Sequence, residues 1–316
     1  MNLFNDIDFM SMISEEMISD HGEDSFCCAL REETALIGVF DGCGGLGATT
    51  YPRLKNHTGA YLASRTVSGA IYNWFDNCDK KQENDEEFVA VIKDYITQYY
   101  EKISNYIDTN SKIRGSMVRD LPTTLAIGYL EKKNDNILLH VIWCGDSRIY
   151  LLDQRGLAQL TRDDVQSKNA LSNLSDDGAL TNVISMDGKY MLHHNVMTIN
   201  APTLIFAATD GCFGYVPSPM NFEYLILESI CMSSCVNEFE SILKKKLAEI
   251  TGDDFSFNLI SLGYKNYNDL KHQVKVRFNY IKKKYILPLN KGKNNKDLIQ
   301  KLWKLYQVDY ERYLET

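Results

Sequence analysis

Apolar and polar positions alternate along this chain in two kinds of block, which predict different secondary structure. Residues 35–40 are apolar without interruption and rich in β-branched and aromatic types, which is typical of a strand buried on both faces. A turn at 31–34 joins this run to an apolar run at 26–30, and together they predict an antiparallel hairpin. Further short apolar runs predict strands at 125–130, 137–144, 148–152, 157–160, 196–199, 204–209 and 257–262. The first four of these lie close together and predict an antiparallel meander.

Between the strand blocks, apolar residues recur at the spacing of an amphipathic helix. This spacing predicts helices at residues 60–75, 88–106, about 222–250 and 298–306. Clusters of strands interrupted by blocks of helix favour an α+β protein with antiparallel sheets over a βαβ arrangement. We therefore expect residues 1–264 to form one such domain and residues 265–316 to form a helical C-terminal extension.

Composition is consistent with a folded protein, but charge is distributed unevenly along the chain. With 316 residues and 44% hydrophobic content, the chain can bury a sizeable core. The net charge of −8 combines +8 in residues 265–316 with −16 in residues 1–264, and such an acidic body repels nucleic acid. No apolar run approaches the roughly 18 residues of a membrane span, and the first ten residues carry acids where a secretory signal is basic. We expect a cytoplasmic protein with no membrane partner.

A glycine-rich turn follows the strand at 35–40, and it admits three interpretations. Asp41 stands at the strand end, and four glycines among residues 42–47 leave the backbone beside it bare, which suits hard divalent cations. Residues 42–47 also fit the dinucleotide fingerprint G-x-G-x-x-G, although Tyr51-Pro52-Arg53 interrupts the helix that this fingerprint requires. The third interpretation is a structural turn without a ligand.

The pattern of an acid beside a glycine at the mouth of an apolar strand occurs four times. The four acids are Asp41, Asp146, Asp210 and Asp253. One such acid is usually a turn former, but four, together with Glu23 and Asp24 at the end of the first hairpin, indicate a cluster whose repulsion Mg²⁺ or Mn²⁺ relieves. Paired ions of this kind lower the pKa of a shared water and orient a phosphoryl group for attack. Zinc is disfavoured because the eight cysteines lack paired C-x-x-C spacing.

Seven short motifs that contain these acids stand in the order and approximate spacing of the protein phosphatase 2C family, the metal-dependent serine/threonine protein phosphatases. They are Gly22-Glu23-Asp24, Asp41-Gly42-Cys43-Gly44-Gly45, Pro122-Thr123-Thr124-Leu125-Ala126, Gly145-Asp146-Ser147-Arg148, Leu160-Thr161-Arg162-Asp163, Thr209-Asp210-Gly211 and Asp253-Asp254-Phe255-Ser256. Each motif alone is weak, but seven in register are specific, so the sequence resembles a bacterial-type member of this family. The tail beyond Lys265 lies outside the resemblance.

The resemblance implies a fold, an activity and a metal site. The fold is a central sandwich of two antiparallel sheets flanked by helices. The activity is hydrolysis of phosphoserine or phosphothreonine in a phosphoprotein substrate, by a metal-bound hydroxide at a binuclear site, in signalling. The cofactors are two or three Mg²⁺ or Mn²⁺ ions, and residues 1–264 form the catalytic domain.

The resemblance also implies roles for individual residues. Asp41 bridges both ions, and the Gly42 carbonyl binds the first of them. Asp210 and Asp253 bind the second ion, while Asp146, with Asp210 nearby, serves a weaker third ion. Two further acids orient waters on the ions: Glu23 and Asp24.

Two positions depart from the family's motifs. Where eukaryotic members usually have a His that is a candidate general acid, this chain has Cys43, which leaves the proton donor in doubt. Where members commonly have an Arg that grips the substrate phosphate, four residues before Glu23, this chain has Ser19, and His21 or Arg53 are candidates to compensate. These departures keep a second hypothesis open, a phosphatase-like binding or regulatory module with weak or no catalysis. Retention of all four strand-end acids favours the enzyme.

Overall fold

In the computed structural model, which describes residues 2–77, 85–107, 120–166, 169–172, 178–292 and 295–314, the apolar runs form strands and the amphipathic stretches form helices. The strands are β1 (Ile7–Glu15), β2 (Ser25–Leu30), β3 (Thr34–Phe40), β4 (Thr50–Tyr51), β5 (His57–Thr58), β6 (Leu125–Lys133), β7 (Asn136–Cys144), β8 (Arg148–Asp153), β9 (Gly156–Gln159), β10 (His193–Ile199), β11 (Thr203–Ala208) and β12 (Phe255–Leu262). The helices are α1 (Gly59–Asn77), α2 (Asp85–Ser104), α3 (Asp210–Phe213), α4 (Pro219–Met232), α5 (Val236–Ala248), α6 (Tyr267–Ile281), α7 (Leu287–Lys291) and α8 (Lys296–Tyr310).

The longer strands form two five-stranded antiparallel sheets. The first sheet has the order β10-β7-β6-β3-β2, and the second has the order β1-β12-β11-β8-β9. The predicted hairpin is confirmed, because Phe40 of β3 pairs with Ser25 of β2. The α+β prediction is confirmed as well, since helices flank both sheets and follow the last strand as a C-terminal extension.

Alternate side chains of each sheet point into different cores. Inward-facing residues of both sheets meet in a central core that includes Ile37, Val39, Val141, Ile205 and Ile260. The opposite face of the first sheet packs against α1 and α2, where Phe40 contributes to a second core. All seven residues of β3 are buried, as its uninterrupted apolar run predicts. Each large apolar side chain removed from water in these cores contributes about 1.5–3 kcal/mol.

The predicted meander of four strands is wrong in one respect. Strands β6 and β7 pair in the first sheet, whereas β8 and β9 pair in the second, so the chain changes sheets at residues 145–147. Gly145 has φ +96°, a conformation that favours glycine. Hydrophobic spacing identifies strands but not their partners, and for this reason the pattern did not reveal the change of sheet.

Two other regions differ from the prediction. The helical region at about 222–250 is two helices, α4 and α5, which end and begin around Ser233 and Cys235. Strand β1 was not predicted, because its burial does not follow strict alternation. It pairs along its whole length with β12 and forms an edge of the second sheet.

The helices after residue 264 pack on the outer face of the second sheet. Phe278 of α6 and Trp303 and Tyr306 of α8 belong to the same core as Phe206 of β11. In this core Arg277 donates two hydrogen bonds to the carboxylate of Glu223, which is fully buried. The division of the chain at residue 264 stays a prediction. Among the described helices, none combines the length and apolar character that a membrane crossing requires.

Candidate active site

The strand-end acids of the first sheet lie side by side because β2 and β3 are antiparallel neighbours. Ser25, the first residue of β2, pairs with Phe40, the last residue of β3. Asp24 and Asp41 are the next residues beyond this pair, and the backbone N–H of Gly42 donates to the carbonyl of Glu23 at 3.2 Å. The sequence prediction that these acids come together is therefore confirmed for this half of the site.

The second sheet brings its own acids to the same end of the sandwich. Asp210 follows β11 and Asp253 precedes β12, and these strand ends are adjacent because Ala208 pairs with Phe257. Asp146 lies in the segment that connects the sheets, next to β8, whose first residue Arg148 also pairs with Ala208.

Electrostatics indicate that five aspartates form one acid cluster. Burial raises the pKa of the Asp41 carboxyl well above its ordinary value, and the nearest carboxylates raise it further. Those carboxylates, in order of effect, belong to Asp210, Asp24, Asp146 and Asp253. The pKa of Asp24 and that of Asp146 are also raised well above the ordinary value, chiefly by burial. When these carboxyls are ionised, the cluster therefore holds negative charge that its own members do not offset.

Threonines of the Pro-Thr-Thr motif connect the two halves of the cluster. Thr123 Oγ1 donates to the carbonyl of Asp41 at 2.7 Å, and the backbone N–H of Asp41 donates to Thr124 Oγ1 at 3.1 Å. Thr124 Oγ1 also lies 2.6 Å from Ser147 Oγ, in the segment that carries Asp146. The end of β3 is thereby held against the segment where the chain changes sheets.

Glu23 and Asp24 are oriented by hydroxyl groups that the sequence analysis did not identify. Thr58 Oγ1 donates to Glu23 Oε1 at 2.5 Å, and Thr209 Oγ1 donates to Asp24 Oδ2 at 2.8 Å. Asp254 accepts a hydrogen bond from the backbone N–H of Glu23 and another from that of Met17, both at 2.7 Å. Asp254 thus joins the start of β12 to the loop between β1 and β2.

Three glycines of the loop, Gly42, Gly44 and Gly47, pack so closely on their surroundings that a side chain would not fit. A Cβ atom on Gly42 would lie 2.4 Å from the carbonyl oxygen of Ala60, and one on Gly44 would lie 2.3 Å from Glu23 Oε2. The first α-helix after the loop begins only at Gly59, whereas a dinucleotide fingerprint requires a helix to begin within the glycines. The loop therefore does not have the geometry of the dinucleotide interpretation.

Cys43 lies half-buried in this loop. Its Sγ is 3.9 Å from the carbonyl oxygen of Asp41. Burial raises the thiol's pKa well above its ordinary value, and the charges of Asp41 and Asp146 raise it further. The thiol therefore keeps its proton at neutral pH.

The chemistry of the donor set fits hard divalent cations. The cluster consists of carboxylates and bare backbone carbonyls, which are the oxygen ligands that Mg²⁺ and Mn²⁺ prefer. Over the described ranges, no three His, Cys, Asp or Glu side chains are already arranged as a metal-binding group. The fit therefore rests on the shared location and the charge of the acids. A cation between carboxylates removes the repulsion that a proton on one of them would otherwise have to relieve.

The residues that the sequence offers for a phosphate contact are all at exposed positions: Ser19, His21 and Arg53. A different residue, Arg65 of α1, acts electrostatically on one of the predicted site acids. Burial raises the pKa of Glu23, and the charge of Arg65 is among the influences that lower it. The side chain of Arg65 is 32% exposed, and its guanidinium carbon lies 3.5 Å from the ring centre of Tyr61. Its ion pair with Glu16 has a long N–O distance of 3.5 Å.

Comparison with known proteins assigns the first half of the chain to a family model. The model described as "Protein phosphatase 2C" matches residues 8–169, slightly more than half of the chain. The match includes Asp41 and Asp146 but ends before Asp210 and Asp253. A Mycoplasma genitalium protein named "Putative protein phosphatase" is 22% identical over 274 residues, which cover 83% of this chain and 98% of that protein.

Solved structures share the fold at low sequence identity. The Mycobacterium tuberculosis serine/threonine phosphatase PstP has a TM-score of 0.59 at 17% identity, and the match covers 81% of this chain and 99% of that one. The PstP catalytic domain in complex with two manganese ions has a TM-score of 0.53 at 16% identity, over 80% of this chain and 97% of that one. The similarity extends past residue 169 and so supports one common sandwich across both sheets.

Proposed function

Because this chain belongs to the protein phosphatase 2C family, it is a protein serine/threonine phosphatase, and we propose that the acid cluster is its metal site. The observation that carries the proposal is that strand ends of both sheets bring five aspartates to one end of the sandwich, where four of them raise the pKa of the fifth, Asp41. Such a concentration of buried negative charge destabilises the fold unless protons or cations relieve it. A site for divalent cations explains why the chain retains it.

The proposed ligands follow the order of the motifs. Asp41 would bridge two Mg²⁺ or Mn²⁺ ions, the Gly42 carbonyl would bind the first, and Asp210 and Asp253 would bind the second. Asp146 would hold a third. Ions bound there supply positive charge that attracts the phosphate of the substrate and activates water for attack on phosphorus.

The surrounding residues have supporting roles in this proposal. Thr58 and Thr209 fix the carboxylates of Glu23 and Asp24, so that these acids can orient water. Asp254 holds the loop that carries them. Cys43 retains its proton and mainly fills space in the glycine loop.

We assign the substrate phosphate contact to Arg65. A phosphate dianion that approaches an acidic cluster needs a cation, and guanidinium can bind it through two parallel hydrogen bonds. The charge of Arg65 reaches Glu23. The guanidinium's contacts to Glu16, to the Tyr61 carbonyl and to Ser64 Oγ are all long, at 3.4–3.5 Å, which leaves hydrogen-bonding capacity for a ligand. Stacking on Tyr61 holds the guanidinium plane in place.

The substrate we propose is a phosphoprotein in a cytoplasmic signalling pathway. The charge of −16 on residues 1–264 disfavours polyanionic substrates such as nucleic acid. A phosphopeptide brings a single phosphomonoester, which bound cations and Arg65 can compensate.

The test is hydrolysis of a phosphothreonine peptide by the full chain, with Mn²⁺, with Mg²⁺ and with chelator. We expect hydrolysis with either metal and none after chelation. Thermal stability supplies a second readout, because Mn²⁺ that binds only the folded state raises the melting temperature. Hydrolysis at an unchanged rate after chelation, or no thermal effect of Mn²⁺, would overturn the metal site.

A further inference from the structure

The last helix of the chain carries a buried tyrosine that contacts the second sheet through hydrogen bonds. Tyr310, at the end of α8, is 1% exposed. Its hydroxyl donates to Gln159 Oε1 at 3.0 Å and lies 3.4 Å from the hydroxyl of Tyr150. Gln159 ends β9 and Tyr150 lies in β8, so α8 contacts both strands at one point.

From these two residues a buried polar network continues toward the acid cluster. Gln159 Nε2 donates to Asp163 Oδ1 at 3.0 Å. Arg148, which is 1% exposed, donates to both carboxylate oxygens of Asp163 at 2.9 and 2.6 Å, and its third contact is to Tyr150 at 3.1 Å. Because neither charge has access to water, each depends on the hydrogen bonds that the other members of the network make.

The inner end of the network is the segment that carries Asp146. Arg148 lies two residues after Asp146, and Ser147 between them contacts Thr124 at 2.6 Å. Both charges of the network act on Asp146. Burial raises the pKa of the Asp146 carboxyl most, Asp210 raises it next, and Asp163 raises it further, whereas Arg148 lowers it. The position of the Arg148 side chain therefore influences both the backbone and the electrostatic environment of Asp146.

We propose that α8 positions Asp146 for its ion through Tyr310, so that the C-terminal extension is part of the catalytic machinery. Tyr310 touches neither substrate nor ion and acts as a positioning residue. Loss of its hydroxyl leaves Gln159 Oε1 buried without this donor. The amide of Gln159 is then held only from its Nε2 side, which donates to the Thr161 carbonyl at 2.8 Å and to Asp163 at 3.0 Å. A less firmly held amide fixes Asp163, and through it Arg148, less rigidly, so the segment 145–147 gains freedom. This inference rests on the proposed function, because it assumes that Asp146 holds an ion.

The chain offers a matched control in the same helix. Tyr306 is also 1% exposed, and its hydroxyl donates to Glu223 at 2.5 Å. Glu223 also accepts from Arg277, so this hydrogen bond joins Tyr306 to an ion pair between α4 and α6. The pair is separate from the network that contains Arg148. Tyr306→Phe and Tyr310→Phe therefore remove the same group from the same helix, but only the second change affects the segment of Asp146.

The experiment compares the two variants in the full chain by Mn²⁺ titration calorimetry and by thermal unfolding without metal. We expect both variants to lose metal-free melting temperature, and Tyr306→Phe to lose at least as much, because its hydroxyl binds a buried carboxylate and that of Tyr310 binds a neutral amide. Only Tyr310→Phe should lower the affinity of the weakest Mn²⁺ site, by about three- to tenfold. Removing a group that binds a metal ligand directly typically costs about ten- to a hundredfold, and Tyr310 acts on Asp146 less directly. Its kcat should fall at limiting Mn²⁺ and recover at high Mn²⁺. Asp146→Asn, which should abolish this site, sets the limit of the effect.

Equal Mn²⁺ affinities in Tyr310→Phe and Tyr306→Phe would overturn the inference, even if both variants were less stable. The inference would also be overturned if Tyr310→Phe weakened every Mn²⁺ site to the same extent, because that indicates a general loss of structure. Failure of the proposed function looks different: the unchanged protein would then bind no Mn²⁺ and hydrolyse no phosphopeptide.

Discussion

Two regions of this molecule bury carboxylates, and they differ in what neutralises the charge. In the core beneath the C-terminal helices, Glu223 receives two hydrogen bonds from Arg277 and one from Tyr306. In the acid cluster, the charges that act most strongly on Asp41 are those of other aspartates. The carboxylate of Glu223 is neutralised within the chain and fixes the packing of three helices. The carboxylates of the acid cluster face one another and take up protons or cations from solution. The comparison separates a structural use of buried acids from a functional one.

The largest effect that we expect is the loss of activity in Asp41→Asn. Removing the central carboxylate should lower kcat/KM by more than about a thousandfold, since bound ions contribute several kcal/mol of transition-state stabilisation. Without metal, the variant should nevertheless melt at a higher temperature than the parent, because one source of repulsion is gone. Asp253→Asn is the companion variant. A lower melting temperature in metal-free Asp41→Asn would show that the cluster is not a repulsive one.

Breaking the Arg277–Glu223 ion pair should lower stability and leave metal binding intact. Arg277→Met leaves Glu223 buried without its cation, which should cost about 3–5 kcal/mol in the free energy of unfolding by urea. Mn²⁺ affinity, measured by calorimetry on the folded variant, should not change. The double variant Arg277→Met/Glu223→Gln should recover most of the stability, because no buried charge remains. If the double variant were no more stable than the single one, packing and not charge would account for the loss.

A smaller effect should appear at the edge of the acid cluster. Arg65→Gln should raise KM for a phosphopeptide by roughly ten- to a hundredfold, the equivalent of one charged hydrogen-bonding group. We expect kcat to change little, because the contact is made equally in substrate and transition state. Arg53→Gln is the matched control, since it removes the same charge from an exposed position.

Two further variants sharpen the assignment of Arg65. Glu16→Gln removes the ion-pair partner and should leave KM unchanged or lower it, whereas a structural Arg65–Glu16 pair would make both variants equally unstable. Ser19→Arg in the Arg65→Gln background should restore part of the affinity. A large KM increase in Arg53→Gln or His21→Ala, with none in Arg65→Gln, would move the phosphate contact to those residues.

Cys43→Ser should have a modest effect. The thiol is protonated and half-buried, and serine preserves its size and its proton. We expect at least roughly a tenth of the activity to remain, since loss of a general acid typically costs about a hundredfold or more. The measurement is steady-state kinetics, with Mn²⁺ binding measured as the control. A hundredfold loss of activity with unchanged Mn²⁺ binding would make the thiol the proton donor.

The smallest effect that we expect is a pH dependence confined to the metal-free protein. A raised carboxyl pKa means that the folded state holds protons more tightly than the unfolded state, so this stabilisation is present at low pH and is lost as pH rises through the folded-state pKa. The melting temperature in chelator should therefore fall from mildly acidic to neutral pH. The slope should be shallower in Asp41→Asn, and an identical slope would assign the dependence to other groups.

The sequence predicted the acids of the cluster better than the residues that support them. Asp41, Asp146, Asp210 and Asp253 were recognisable because each stands beside glycine at the end of an apolar run. Thr58 and Asp254 act through contacts across more than thirty and more than two hundred residues, and in the sequence they resemble ordinary turn formers. Long-range hydrogen bonds of this kind leave no periodic signal.

In the fold, too, local elements were predicted better than contacts between distant parts of the chain. Most strands and helices followed from periodicity, with β1 as the main exception. The change of sheet at residues 145–147 did not, because a strand's spacing is the same in either sheet. The tail was predicted as helical from its apolar spacing. The buried hydroxyls of Tyr306 and Tyr310 were not predicted, because Tyr is compatible with both core and surface. Their partners, Glu223 and Gln159, come from distant elements.

The pairing of β1 with β12 affects when a newly synthesised chain can become active. Asp254 binds the backbone of Met17 and Glu23 across 237 and 231 residues of sequence, and β1 completes the second sheet by pairing with β12. Contacts of such high sequence separation form late in folding, because the chain must close a long loop before they provide any stabilisation. A nascent chain that has not yet released β12 from the ribosome thus has Asp24 and Asp41 but no complete acid cluster. Phosphatase activity should appear only when synthesis of the sandwich is finished, so that partial chains cannot dephosphorylate cellular proteins.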